Sequence, residues 1–146
     1  MAAKLTLDLN AMQEDFFADA VIIGIRSALP GYRFCWLMNK LLHTHFVRDP
    51  EFDIRMERPG GEDVFFEVYE FVLPQNSGKH IIYKLKTQEV LLMPEIKNLD
   101  FIWLVQTAMA DKDAKTILEH CRNINEIEMA QILPLHQLKN KQHLLI

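Results

Sequence analysis

The spacing of apolar and polar residues predicts strands along most of the chain. In residues 4–9, leucine occupies every second position, which is the two-residue period of a half-buried strand. Residues 21–25 form an apolar, mostly β-branched run that is typical of a strand covered on both faces. Similar patterns predict further strands at residues 52–56, 64–73, 80–86, 90–93, 101–105 and 127–133.

Helical periodicity occurs in two segments. Pro30 and Gly31 end the preceding strand pattern, and the apolar residues after them recur at the i, i+3, i+4, i+7, i+8 spacing of an amphipathic helix. They are Phe34, Leu37, Met38, Leu41 and Leu42. Residues 114–121 carry a second apolar helical face, and Asp111 or Asp113 is placed to cap that helix.

This order of elements predicts a single domain over residues 1–146, with a short polar C-terminal tail from about residue 134. The predicted fold class is α+β, with a single, largely antiparallel sheet and two main helices packed on one face. A ferredoxin-like topology is one arrangement that fits the order. Residues 59–61, Pro-Gly-Gly, predict a tight hairpin turn between two of the strands.

Composition limits the classes of function. The net charge of −4 provides no long-range positive field, so nucleic-acid binding would need a local basic patch. Residues 1–10 lack the basic flank and the apolar stretch of a secretory signal, and no apolar run approaches membrane-spanning length. We therefore expect a cytoplasmic protein without a membrane partner, for which nucleic acid is not the main ligand.

No recognised catalytic or metal-binding motif occurs in the sequence. His43-x-His45 and the adjacent His120 and Cys121 suggest metal ligands, but positions two apart on a helix point about 200° from each other. Cys35 and Cys121 each lie within an apolar helical pattern, which indicates buried thiols rather than a disulfide. We predict no metal, no cofactor and no enzymatic activity.

Two carboxylates bracket a segment between predicted strands. Glu95 and Asp100, if held close together, could act as general acid and base. However, Glu95 follows Pro94 in a predicted turn and Asp100 precedes a strand, and carboxylates at such positions commonly accept backbone N–H bonds. The structural interpretation is therefore preferred to catalysis.

The first predicted helix carries a stripe opposite its apolar face. Arg33, Trp36, Lys40 and His43 follow one another at three- to four-residue spacing. Arginine and tryptophan are enriched at the energetic centres of protein interfaces, so the stripe is a candidate contact surface. The alternative is that Trp36 widens the buried face while Arg33 and Lys40 extend past it to water.

A basic face is predicted on the strand at residues 80–86. His80, Lys84 and Lys86 lie on one side of that strand and, with a nearby tyrosine, could contact single-stranded RNA. An edge strand that bears lysines is equally a protection against edge-to-edge aggregation. The acidic net charge favours this second interpretation.

Residues 93–101, Met-Pro-Glu-Ile-Lys-Asn-Leu-Asp-Phe, resemble the motif that names the bacterial IPExxxVDY family. Residues 32–40, Tyr-Arg-Phe-Cys-Trp-Leu-Met-Asn-Lys, are similar to that family's Y-R-x-x-W/Y-x-L-N-K segment. Residues 65–70, Phe-Phe-Glu-Val-Tyr-Glu, are similar to its aromatic-acidic strand. The resemblance implies a bacterial protein from a family without an assigned activity.

Within the naming motif the chain keeps Pro94, Glu95 and Asp100. It departs from the motif at the isoleucine, valine and tyrosine positions, which hold Met93, Leu99 and Phe101. Loss of the tyrosine hydroxyl weakens a chemical role for the motif, whereas the other two replacements retain apolar bulk. The resemblance thus implies that the motif sets a turn and inserts side chains into a core.

The leading hypothesis is a non-catalytic module that binds another protein, through Arg33, Trp36 and Lys40 or through the acidic region around Phe16. The first alternative is a small regulatory ligand-binding domain, because antiparallel sheets with helices on one face often bind metabolites between subunits. A homodimer is compatible with both. RNA binding through the lysine-bearing strand and acid–base catalysis by Glu95 and Asp100 are the remaining alternatives.

Overall fold

The structure is a computed structural model that describes residues 11–145, so the strand predicted at residues 4–9 lies outside the described part. The helices are α1, which covers residues 11–17 of that part, α2 (Gly31–Leu42) and α3 (Ala110–Cys121). The strands are β1 (Val21–Arg26), β2 (Val47–Arg48), β3 (Ile54–Met56), β4 (Val64–Phe66), β5 (Val68–Val72), β6 (Gly78–Lys84), β7 (Lys86–Thr87), β8 (Val90–Leu91), β9 (Phe101–Thr107) and β10 (Met129–Leu133).

A six-stranded antiparallel sheet in the order β10-β1-β9-β6-β5-β2 forms the centre of the molecule. Ile23 of β1 pairs with Ile132 of β10 on one side and with Trp103 of β9 on the other. Because β9 and β10 both run antiparallel to β1, α3 connects two parallel strands that β1 separates. The predicted α+β fold with a largely antiparallel sheet is confirmed, and the order of β10, β1, β9 and β6 is compatible with a ferredoxin-like topology.

Helices α2 and α3 pack on the same face of the sheet, as predicted. Their apolar stripes contact alternate residues of β1, β6 and β9, which point to that face because side chains alternate along a strand. The ring of Phe34 in α2 stacks on that of Phe101 in β9, with centroids 4.4 Å apart. Cys35 and Cys121 are buried free thiols, in agreement with the prediction, and burial raises the pKa of Cys121 to about 12.

The opposite face of the sheet is covered by shorter and less regular elements. Helix α1 contributes Phe17, and the β3–β4 hairpin contributes Val64 and Phe66. Further buried residues from the segments around β8 and after β10 are Leu92, Met93, Leu99, Leu138 and Leu144. A β-carbon on Gly24 of β1 would lie 2.5 Å from Leu99 Cδ1, so glycine permits the close approach of this layer.

The segment after residue 134, predicted as a polar tail, is anchored to this second layer. It forms 3-10 turns at Leu135–Gln137 and Lys141–Leu144. The buried hydroxyl of Tyr83 donates a hydrogen bond of 2.6 Å to the carbonyl oxygen of Leu144. Although this segment is polar in composition, Leu144 near its end is buried against the sheet.

Strand boundaries differ from the sequence prediction where pairing partners change. The strand predicted over residues 64–73 is divided at Glu67, because β4 pairs with β3 whereas β5 pairs with β6 and β2. The strand predicted from Phe52 begins at Ile54, since Phe52 belongs to the 3-10 turn Pro50–Phe52. The predicted hairpin itself is confirmed by the β3–β4 pairing.

The predicted cap of α3 is wrong. The helix begins at Ala110 after Met109, which makes no side-chain capping bond, so Asp111 and Asp113 lie inside the first turn. Asp113 Oδ2 instead accepts a hydrogen bond of 2.6 Å from Thr107 Oγ1 at the end of β9. This contact fixes the start of α3 to the sheet.

Candidate functional site

Helix α2 presents one buried and one exposed face. It begins after Pro30, and its last residue is Leu42. The next residue, His43, has a left-handed φ of 57° that terminates the helix. Phe34, Cys35 and Met38 are buried against the sheet. The predicted contact residues Arg33, Trp36, Lys40 and His43 are all exposed.

Trp36 lies on the surface, with 55% of its area exposed, so the alternative in which it widens the buried face is wrong. Lys40 Nζ lies 5.0 Å from the centroid of the indole ring, a cation–π distance that holds the ring and the cation together. Tyr32, one turn before Trp36, is 68% exposed. We call Tyr32, Arg33, Trp36 and Lys40 the α2 face.

The α2 face is basic as well as aromatic. Gly31–Leu42 contains Arg33 and Lys40 and no acidic residue, and its first turn has no carboxylate. The four residues protrude from a helix whose other side is fixed in the core. Tyr32 was not among the predicted contact residues, although its i, i+4 spacing from Trp36 places both on one side of the helix.

In the second predicted surface region, the acidic segment around Phe16, the aromatic rings are less accessible than Trp36. Phe17 is buried and Phe16 is half-buried, with ring centroids 5.0 Å apart in an edge-to-face contact. Both aromatic rings are therefore used for packing α1 against the sheet. The α2 face is the better candidate for a contact surface.

His80 does not belong to an exposed basic face. It is 8% exposed, lies on the helical side of β6, and its Nδ1 accepts a hydrogen bond of 3.0 Å from Trp103 Nε1. Burial lowers the pKa of His80, with a smaller opposing effect from Asp113. The assignment of His80 to an RNA-contact surface is contradicted by this geometry.

The lysines of the predicted RNA face are paired with carboxylates. Lys84 Nζ lies 3.3 Å from Glu67, and Lys86 Nζ lies 3.2 Å from Asp100. Burial opposes ionisation of Glu67, but the hydrogen bond from Tyr69 and the charge of Lys84 outweigh it and lower the pKa of Glu67. Lys84 lies on β6, between β9 and β5, so the edge-strand interpretation is wrong for this residue. The strand predicted at residues 80–86 ends at Lys84, and Lys86 lies on β7, which pairs with β8.

Glu95 anchors the C-terminal segment. Its two carboxylate oxygens accept bonds from the backbone N–H and the side-chain amide of Asn140, at 2.7 and 2.8 Å. Burial opposes ionisation of Glu95, and the Asn140 bonds outweigh it and lower its pKa. Pro94 starts the 3-10 turn Pro94–Ile96 that carries Glu95.

Asp100 belongs to a different network. Its Oδ2 accepts a bond of 2.9 Å from the backbone N–H of Ser27, and its Oδ1 lies 3.2 Å from Lys86 Nζ. Because Glu95 and Asp100 have separate partners, the geometry gives no support to their use as an acid–base pair. The structural interpretation that we preferred accounts for both.

Comparison with other proteins adds no assignment. The sequence matches no protein-family model, and it has no significant similarity to a curated protein. Within residues 11–145, no group of three or more His, Cys, Asp or Glu side chains is arranged to hold a metal ion. In the same part of the chain, no helix has the length and apolar character needed to cross a membrane.

Proposed function

We propose that the protein is a non-catalytic interaction module that binds another protein through the α2 face. The observation that carries the proposal is the 55% exposure of Trp36 on a helix whose opposite side buries Phe34, Cys35 and Met38. A large aromatic side chain on a rigid support loses little conformational entropy on binding. Such residues often dominate the binding energy of an interface.

The chemistry of the α2 face favours a partner segment that combines apolar and acidic residues. Tyr32 and Trp36 offer aromatic area, while Arg33 and Lys40 offer positive charge without a carboxylate on the same helix. A partner carboxylate could bind Arg33 in bidentate geometry. An apolar partner side chain could pack on the indole ring beside Lys40.

Quantitative binding by variants tests this proposal. After affinity purification identifies a partner, Trp36→Ala should weaken its binding by about 2 kcal/mol or more, which is roughly thirtyfold. Charge reversal by Lys40→Glu should weaken binding more at low salt than at high salt, because salt screens the attraction between Lys40 and an acidic partner.

Phe65→Ala provides the matched control, because Phe65 is an exposed aromatic residue, at 53%, on β4 rather than on α2. The proposal requires this variant to bind as the wild type does. Equal affinity of Trp36→Ala and wild type, with both folded, would contradict it.

We further propose that the chain is a cytoplasmic member of the IPExxxVDY family. The Phe34–Phe101 stack supports this, since it joins two of the three segments that resemble the family. The hydrogen bonds of Glu95 and Asp100 to backbone N–H groups also support family membership. This anchoring role of the motif does not need the tyrosine hydroxyl, so it is compatible with Phe101 at the tyrosine position. Purification of an IPExxxVDY family member with tyrosine at this position, followed by comparison of its partner with that of this chain, would test the relationship.

A further inference from the structure

A groove separates the end of α2 from the middle of α3 on the helical side of the sheet. Its volume is about 470 Å³, which lies within the range of small-molecule sites. The apolar part of its lining is Leu41, Leu42, Leu73 and Ile117. His80 and Trp103 of the sheet also line it, together with His43, Asp113 and His120.

His80 brings a hydrogen-bond donor to this groove. The Trp103 indole N–H can only donate, so Nδ1 of His80 accepts and the proton of the neutral imidazole lies on Nε2. Within residues 11–145, no group accepts that proton. Every fully enclosed polar side-chain atom in this part of the chain has a hydrogen-bond partner. His80 Nε2 has no such partner, so this atom is not enclosed and is accessible from the groove that His80 lines.

Asp113 brings an acceptor. Thr107 occupies its Oδ2, and no other described residue donates to its Oδ1. The hydroxyls of Thr44 and Thr116 donate to Asn39 Oδ1 and to the Lys112 carbonyl, so their protons are already used and each hydroxyl can only accept a further bond. Apart from the exposed rim histidines and these two hydroxyl acceptors, His80 and Asp113 are the described polar side chains of this groove that are free to bind a ligand.

The electrostatics of the groove disfavour an anionic head group at its centre. Asp113 carries a negative charge, and the C-terminal end of α2 adds the negative pole of its helix dipole. A neutral ligand that carries both an acceptor and a donor satisfies both free groups. A flat ring can bury its faces against the aliphatic side chains that line the groove, without further polar contacts.

We propose that this groove binds a neutral nitrogen heterocycle of the nucleobase class. A ring nitrogen accepts the Nε2 proton of His80, a ring or exocyclic N–H donates to the carboxylate of Asp113, and the leucines pack on the ring. The groove lies at the C-terminal end of α2, where His43 lines it, whereas Tyr32, Arg33 and Trp36 of the α2 face lie nearer the start of the helix.

Titration of the intact protein with small heterocycles tests the proposal. Adenine and benzimidazole carry both an acceptor nitrogen and an N–H, whereas indole has the N–H and lacks the acceptor. In long-range proton–nitrogen NMR spectra of histidine-labelled protein, adenine and benzimidazole should shift the His80 Nε2 resonance. Indole should bind at least roughly tenfold more weakly, because it leaves the His80 donor unpaired.

One variant tests the contribution of the His80 Nε2 donor separately from that of apolar packing on the ligand. His80→Asn keeps an oxygen where Nδ1 accepts from Trp103 and removes the Nε2 donor, so it should lose adenine affinity at least about tenfold. His136→Asn, an exposed histidine outside the groove lining, should bind adenine as the wild type does. No shift with adenine or benzimidazole near their solubility limits would overturn the proposal. Equal affinity for indole and benzimidazole in the wild type would also overturn it, whether or not His80→Asn folds.

Discussion

The two faces of the sheet are stabilised in different ways. On the helical face, α2 and α3 bury regular apolar stripes, and Phe34 stacks directly on Phe101. On the opposite face, short turns are fixed by polar anchors such as the bonds of Glu95 to Asn140 and of Tyr83 to Leu144. Irregular segments, whose backbone groups lack ladder partners, thus depend on specific hydrogen bonds as well as on burial.

The largest expected effect is on the helical face. Phe34→Ala removes a fully buried ring and should lower the free energy of unfolding by about 3–5 kcal/mol. Trp36→Ala, two residues away on the exposed side of α2, should change it by about 0.5 kcal/mol or less. Urea unfolding followed by circular dichroism measures both. Comparable losses for the two variants would contradict the division of α2 into two faces.

A smaller effect is expected from the opposite face. Glu95→Ala removes both bonds to Asn140 and should cost about 1–3 kcal/mol at pH 7. Because the pKa of Glu95 is lowered in the fold, its contribution is present above the unfolded pKa and is lost as pH falls through the folded value. Glu62→Ala, at an exposed position, is the control and should have little effect. A flat difference between wild type and Glu95→Ala from pH 7 to pH 3 would argue against this anchor.

His80 should make the helical face sensitive to mild acid. Its folded pKa is lowered by burial from an ordinary value of 6.5, so the unfolded chain binds the proton first. Stability should therefore decline as pH falls below about 6.5, with a slope of at most about 1.4 kcal/mol per pH unit for one proton. His80→Asn should lose this part of the pH dependence in unfolding titrations between pH 7.5 and 5, whereas His136→Asn should keep it. An unchanged slope in His80→Asn would count against a neutral, buried imidazole.

The smallest effect is expected at the end of the sheet where Lys86 pairs with Asp100. Both side chains are partly exposed, at 39% and 28%, so Lys86→Met should change the free energy of unfolding by only about 0–1 kcal/mol. Asp100→Ala also removes the bond to the Ser27 N–H and should cost more. Thermal unfolding of the two variants compares them, and a larger loss for Lys86→Met would reverse our assignment of Asp100 as a backbone anchor.

Much of the helical face could be predicted because periodic burial is a local property of the sequence. The i, i+3, i+4 pattern of α2 and the apolar run of β1 reveal their buried sides without knowledge of neighbours. The position of β6 could not be predicted in this way. Its neighbours β9 and β5 are set by long-range pairing, so a lysine-bearing central strand resembled an edge.

The same reason explains which site residues were found. Arg33, Trp36 and Lys40 share one helix, so their spacing alone places them on one face. The environment of His80 depends on Trp103 and on Asp113, which are brought to it by β9 and α3. No local pattern in residues 80–86 carries that information, and the histidine was assigned to the wrong environment.

Site-specific photo-crosslinking in the protein's own cells shows directly whether the α2 face is the binding surface. A photoreactive phenylalanine analogue would replace Tyr32 or Trp36 in separate variants, with Phe65 as the matched exposed position on β4. We predict a discrete protein adduct from positions 32 and 36 and none from position 65. Absence of an adduct from both α2 positions, or the same adduct from position 65, would contradict the assignment of the α2 face as the binding surface.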